Sequence, residues 1–197
     1  MKSDPVVLAL YLTGYALLHS FLAADRLKSA VNRALPSFSR WYRLTYTVIS
    51  VITLYPLIPL MSGSPLLYRI DGAAALLMRL IQIAGLAGFA YSALAVDLRT
   101  FIGLRHPEAD QEALAQDGPY RLCRHPLYFF GSVMLAASPE VTVAYAVFTV
   151  WTIAYFWIGS WFEERRLLAT FGDAYHDYRS HVPHFIPLPR KRKSASP

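Results

Sequence analysis

The sequence predicts an all-α integral membrane protein with about five transmembrane helices, the fourth of them short and paired with the fifth in a helical hairpin. Three observations carry this. Of 197 residues, 55% are hydrophobic and 16% charged, against about 25% charged in soluble domains, and mean hydropathy is +0.32. Apolar stretches of about 20 residues recur, the length that crosses a ~30 Å hydrocarbon core. The basic residues collect beside alternate stretches, as in membrane proteins of fixed orientation. The net charge of +6 therefore points to a membrane surface rather than to nucleic acid. A single cysteine, Cys123, excludes an internal disulfide framework.

Pro5 to Ala24 forms the first span. Its apolar region is too long for a signal peptide, and Leu22-Ala23-Ala24 is a poor cleavage site, so a retained helix is expected. Asp25 to Arg43 is a basic loop with Arg26, Lys28, Arg33, Arg40 and Arg43. Its apolar residues and Trp41-Tyr42 suit a short interfacial helix with aromatics at headgroup level. Leu44 to Met61 is the second span, with a kink expected from Pro56 and Pro59. Ser62 to Asp71 reads as a turn-rich loop.

The third span runs from Gly72 to Val96. Its small residues Ala84, Gly85, Ala87, Gly88 and Ala90 permit close helix packing, and Arg79 snorkels to the interface. Residues 97–125 form the largest polar insertion. Gly118-Pro119 breaks the backbone there, and Pro126 suits the first position of a new helix with His125 as its N-cap. The free N–H groups of Leu127, Tyr128 and Phe129 then favour an anion. That helix and the span Val141 to Phe162 make a hairpin around Ser138-Pro139-Glu140. Glu163 to Phe171 extends the last helix, and Gly172 ends it. The domain closes at residue 187, and the basic stretch 188–197 is expected to be a disordered tail touching anionic headgroups.

Lys and Arg number five in the first loop, four in 97–125 and seven after Glu163, against Lys2 and Arg69 on the other side. The positive-inside rule places the N-terminus outside and the C-terminus in the cytoplasm. Three candidate groups then share the cytosolic face: Arg124-His125-Pro126-Leu127-Tyr128, preceded by Gly118-Pro119-Tyr120; Glu163-Glu164; and Phe101-Ile102-Gly103-Leu104-Arg105 at the start of the long loop. Gly159 and Ser160 precede Glu163 on its helix face and leave room beside an acceptor. His19, an ionisable residue within a span, is a functional candidate by position. Paired with His125 it offers a haem site, although no Cys-x-x-Cys-His motif is present. Metal-binding helices show His or Glu pairs at i, i+3 or i, i+4, and here no two histidines share an expected span.

These residues carry a resemblance. Gly118-Pro119-Tyr120, Arg124-His125-Pro126-Leu127-Tyr128, Glu163-Glu164, Phe171-Gly172-Asp173-Ala174-Tyr175, Tyr178 and Val182-Pro183 resemble the C-terminal half of the isoprenylcysteine carboxyl methyltransferase and phospholipid methyltransferase superfamily. The likeness covers residues 97–187. Leu18-His19-Ser20, Tyr42-Arg43-Leu44-Thr45-Tyr46 and Phe101-Ile102-Gly103-Leu104-Arg105 are similar to a bacterial branch containing methanethiol S-methyltransferases and NnrU-type membrane proteins. The resemblance implies S-adenosylmethionine (SAM) as cofactor in a cytosolic pocket. It places contacts at Glu112, Ala113, Leu114, Ala115, Tyr120, His125, Pro126, Leu127, Tyr128 and Glu163. Arg124 or His125 would meet the cofactor's carboxylate, and Glu163 its ammonium or ribose hydroxyls.

Two positions depart from the pattern. Prenylcysteine methyltransferases carry an arginine where this chain has Gly159, and His-x-Leu-Val where it has Glu112-Ala113-Leu114-Ala115. The expected acceptor is a small thiol, or a lipophilic thiol or carboxylate reached through the bilayer. Arg105 and His19 are the candidate catalytic residues that favour a thiolate. The alternatives are phospholipid N-methylation and a non-catalytic protein that binds haem or assists a respiratory complex.

Overall fold

The computed structural model describes residues 4–96 and 113–187. The chain is mostly helical, and four of its described helical stretches are long and apolar enough to cross a membrane. The membrane fold class expected from composition is therefore found.

Helix α1 (Pro5–Ala23) is capped by Asp4, whose carboxylate accepts from the N–H groups of Val6 and Val7. Pro5 sits where no intrahelical N–H is needed. Helix α2 (Asp25–Ala34) follows the extended Ala24, and a single 3₁₀ turn (Pro36–Phe38) leads into α3 (Ser39–Ile52). The expected proline kink lies at 53–56, before the short α4 (Leu57–Met61). Pro56 has no N–H, and the Leu57 N–H turns to Leu54. The Thr53 carbonyl is instead met by the Tyr11 hydroxyl, the neighbouring-helix rescue that makes prolines tolerable in spans.

One departure from expectation lies at the opposite helix ends. The segment expected to be a loop contains strand β1 (Leu66–Arg69), and the turn expected around Ser138-Pro139-Glu140 leads into β2 (Glu140–Thr142). They pair antiparallel with Leu66 opposite Thr142 and Arg69 opposite Glu140. The ribbon is short, and its residues are exposed or half-buried apart from the buried Val141. It escaped sequence reading because its pairing joins segments about 70 residues apart, beyond any local periodicity signal.

Helix α5 (Gly72–Leu94) is followed, within the described residues, by a 3₁₀ turn (Gly118–Arg121), α6 (Pro126–Ala136) and α7 (Val143–His181). At 11 residues, α6 is about 16 Å long, half a bilayer core. Two compact units emerge. In one, residues 4–76 and 139–152, Leu8, Leu12, Leu57 and Ala144 are buried together, flanked by Tyr11, Phe148 and Trp151. In the other, residues 77–96, 113–138 and 153–187, α5 packs tightly on α6. A Cβ at Gly85 would lie 2.9 Å from the backbone nitrogen of Met134, and one at Gly88 2.4 Å from the Phe130 ring. The Gln82 side chain donates to the Met134 carbonyl at 3.2 Å. Close packing by the small-residue run is thus observed.

Candidate functional site

The second unit gathers most of the residues singled out by the sequence. The Gly118–Arg121 turn begins with Gly118 at φ +59, a conformation that favours glycine. Its Tyr120 carbonyl accepts from the Tyr178 hydroxyl at 2.7 Å. Cys123 is buried, and burial pushes its thiol up to about 11. It is a packing residue, since the thiolate is the reactive form.

His125 is the N-cap of α6 and Pro126 its first residue, as the Arg-His-Pro sequence predicts. Phe129 already donates to the His125 carbonyl at 3.0 Å. The open N–H groups at this helix start are therefore those of Leu127 and Tyr128, and not that of Phe129. Ala113 is exposed, and Leu114 and Ala115 are half-buried. Glu112 and Arg105, with the Phe101–Arg105 motif, lie outside the described residues.

The centre of the unit is His125, held between two adjacent carboxylates. Its Nδ1 lies 3.4 Å from Glu163 Oε2 and its Nε2 3.2 Å from Glu164 Oε1. Only an imidazolium has donors on both nitrogens. Burial opposes the charge, but hydrogen bonds and the charges of Glu163 and Glu164 outweigh it and raise the pKa of His125. Its ring lies parallel to that of Tyr128, 5.6 Å between centroids, and Tyr128 in turn stacks on Phe156 at 4.9 Å.

The two glutamates differ sharply. Glu164 is saturated. Its carboxylate takes Arg124 Nε at 2.7 Å and Nη2 at 3.1 Å, and the Tyr175 hydroxyl at 2.6 Å. The Arg124 guanidinium also donates to the carbonyls of Arg179 and Val182, at 3.0 and 2.8 Å. Bidentate, charge-assisted bonding of this kind is strong and geometrically specific. Glu163 instead keeps 34% of its side chain exposed, with Tyr128 and His125 as hydrogen-bond partners.

Gly172 makes this arrangement reachable. A straight helix would put Tyr175 about 16 Å along the axis from Glu164. Gly172, at φ 52 and ψ −123, breaks the helical path and lets Tyr175 return to the carboxylate. The expectation that Gly172 ends the long helix is met, with a further helical stretch after it. The segment beyond closes the far side. The Pro183 carbonyl accepts from the Arg124 N–H at 2.9 Å, and His184 stands edge-on to His125 at 5.0 Å.

His184, Tyr175 and the saturation of Glu164 were not singled out from sequence. The Glu-Glu doublet and the Phe171–Tyr175 motif were visible signals for two of them; His184 had none. Ser160 is fully buried, and its hydroxyl turns to the Trp157 carbonyl at 2.7 Å. The room expected beside Glu163 is therefore left by Gly159 alone, where a Cβ would meet nothing within 4 Å.

His19 belongs to the first unit. Tyr46 contacts its Nε2 at 2.6 Å and Ser50 its Nδ1 at 3.1 Å. Both nitrogens of His19 and both of His125 thus have partners, which leaves no ring nitrogen of this pair open for a haem iron. His125, Glu164 and His184 offer ligand atoms within 4.8 Å of one another. The Arg124 guanidinium on the same carboxylate makes that cluster unsuited to a second cation.

The phospholipid methyltransferase family model matches residues 73–174. The methanethiol S-methyltransferase 2 of Bradyrhizobium diazoefficiens is 30% identical over 171 residues, 78% of this chain and 66% of that protein. The methanethiol S-methyltransferase of Mycobacterium tuberculosis is 38% identical over 72 residues, 36% of this chain and 30% of that protein. That of Pseudomonas deceptionensis is 35% identical over 72 residues, 36% of this chain and 28% of that protein. The chain thus spans about two thirds of the first relative and under a third of the other two. No solved structure matches it. The family match covers more than half of the chain and contains Arg124, His125, Tyr128 and both glutamates: this protein belongs to the phospholipid methyltransferase family.

Proposed function

We propose that the protein is a multi-pass membrane methyltransferase that uses SAM and acts on a thiol, small or lipophilic. One observation carries the cofactor assignment. At the open start of α6 His125, its pKa raised by the two carboxylates, and the half-exposed carboxylate of Glu163 stand side by side, backed by a saturated second carboxylate. This donor set fits a zwitterion. The N–H groups of Leu127 and Tyr128 and the charge on His125 would hold its carboxylate. Glu163 would hold its ammonium or its ribose hydroxyls. Tyr120 and the His125–Tyr128–Phe156 stack offer faces for an aromatic base.

When bound, SAM supplies a methyl group on a sulfonium for in-line displacement by a nucleophile. The protein's own work is positioning and exclusion of water. Arg124 does this indirectly. With its guanidinium on Glu164 and two carbonyls, it positions His125 and ties the segment after Gly172 to the site, rather than meeting the ligand. Ala113, Leu114 and Ala115, with Glu112, are proposed to border the cofactor from the segment before the 3₁₀ turn. The acceptor side is assigned to Arg105 and His19, where positive charge or a nearby base would favour the thiolate. Methyl-transfer rates of Arg105→Ala and His19→Ala test this, and unchanged rates in both would remove the assignment.

A thiol acceptor is supported by the methanethiol S-methyltransferases among the relatives and by Gly159. A lipophilic thiol or carboxylate entering from the bilayer would use the same opening. We assign the protein to a bacterial inner membrane, with the N-terminus outside and the site cytoplasmic, from the distribution of Lys and Arg. The test is to offer labelled SAM to the purified protein with methanethiol, longer alkyl thiols, a prenylcysteine and phosphatidylethanolamine. Label in a thioether is the expected product. Label appearing only in the phospholipid would replace this reading with phospholipid N-methylation.

A further inference from the structure

Helix α2 and the 3₁₀ turn after it lie outside the site and carry a different kind of surface. The chain leaves α1 at Ala23 and comes back beside it, because the Tyr42 hydroxyl at the start of α3 donates to the Leu22 carbonyl at 2.7 Å. Residues 24–38 are therefore an excursion from one end of the α1–α3 pair, and α2 lies at the level of the helix ends.

At 100° per residue, Leu27, Ala30, Val31 and Ala34 fall on one side of α2, and Arg26, Ser29, Asn32 and Arg33 on the other. No residue of α2 is buried. Leu27 and Val31 are half covered, whereas Ala30, Ala34, Leu35, Phe38 and Trp41 are exposed. Arg40 lies over the Trp41 ring at 5.5 Å. Lys28 pairs with Asp25 at 3.2 Å, the one acid among five basic residues from 25 to 43. Arg26 and Arg33 have no ion pair among the described residues.

We infer that residues 25–41 form a docking surface for anionic phospholipid headgroups, with α2 lying in the membrane interface. The apolar stripe and Leu35, Phe38 and Trp41 enter the acyl boundary, and Arg26, Arg33 and Arg40 meet headgroup phosphates. The placement of the ring and the cations at one level is the arrangement of an interfacial helix. Charge chooses the occupant: juxtamembrane cations gain most at a surface of negative lipids.

The test is hydrogen exchange of the full chain in lipid nanodiscs, read at the α2 amides. Replacing phosphatidylcholine by equal parts phosphatidylcholine and phosphatidylglycerol should slow exchange by about tenfold, an effect that high salt reverses. The R26Q/R33Q/R40Q variant should lose this response while α1 and α3 keep their protection. Equal exchange in both lipids would overturn the inference, as would a response retained in the variant. Inorganic phosphate added to phosphatidylcholine nanodiscs should do nothing; protection by it would mean a free-anion site. Protection in phosphatidylcholine that grows with protein concentration would assign the face to a second copy.

Discussion

Glu163 and Glu164 are neighbours in sequence with opposite duties, and their environments predict separable phenotypes. Glu164 is 11% exposed and paired with Arg124 at 10%. Removing one partner of such a pair strands the other charge, at a cost of about 3–5 kcal/mol. Glu164→Gln should therefore lower the thermal unfolding temperature in detergent by several degrees. Glu163→Gln, which removes a carboxylate from a half-open position, should leave it nearly unchanged. Equal losses in both would contradict the division of labour. His125 adds a pH signature. Its folded pKa is raised from the ordinary 6.5, so its charge contributes stability that is fully present below about 6.5. That contribution disappears as the pH rises through the raised value. The stability gap between wild type and His125→Gln should accordingly be widest in mild acid and shrink toward alkaline pH. His184, whose pKa is lowered by burial and by His125, contributes the opposite slope in the wild type, and the part of it that His125 causes is lost in the variant.

At the scale of elements, two glycines set the geometry, and both were legible for different reasons. The Ala84–Ala90 run announced close packing, and Gly85 lies against the Met134 backbone, which cannot swing aside as a side chain can. Gly85→Val should cost about 1–3 kcal/mol through overpacking, measured by thermal unfolding. Gly172 was legible only as a helix stop. Its actual conformation, φ 52 and ψ −123, is strained for any residue with a Cβ, although a Cβ there would meet nothing. Gly172→Ala should therefore act through the backbone, costing on the order of 1–3 kcal/mol, and should loosen the Tyr175–Glu164 bond. The β1–β2 ribbon stayed hidden because no local pattern in Leu66–Arg69 or Glu140–Thr142 marks it. Its cross-strand Arg69–Glu140 ion pair, exposed and at 2.8 Å, contributes little energy.

For the whole molecule, hydropathy and charge were enough to read the fold class, because a bilayer leaves few solutions for a chain of such stretches. The antiparallel ribbon pairs the segment before α5 with the segment after α6. The site was half legible. Helix capping marked His125 and Pro126, and the glutamate doublet marked α7. The Glu164 network was not readable, since it needs Arg124 to reach residues 40 to 58 positions away and a turn at Gly172 to return Tyr175 to the carboxylate. The central claim is that Glu163, and not Glu164, faces the cofactor. Titration calorimetry of SAM against wild type and Glu163→Gln in detergent tests it most directly. The wild type should bind measurably and the folded variant with at least a tenfold weaker Kd, the ~1.4 kcal/mol expected from one charge-assisted contact. Unchanged affinity in Glu163→Gln would contradict the claim.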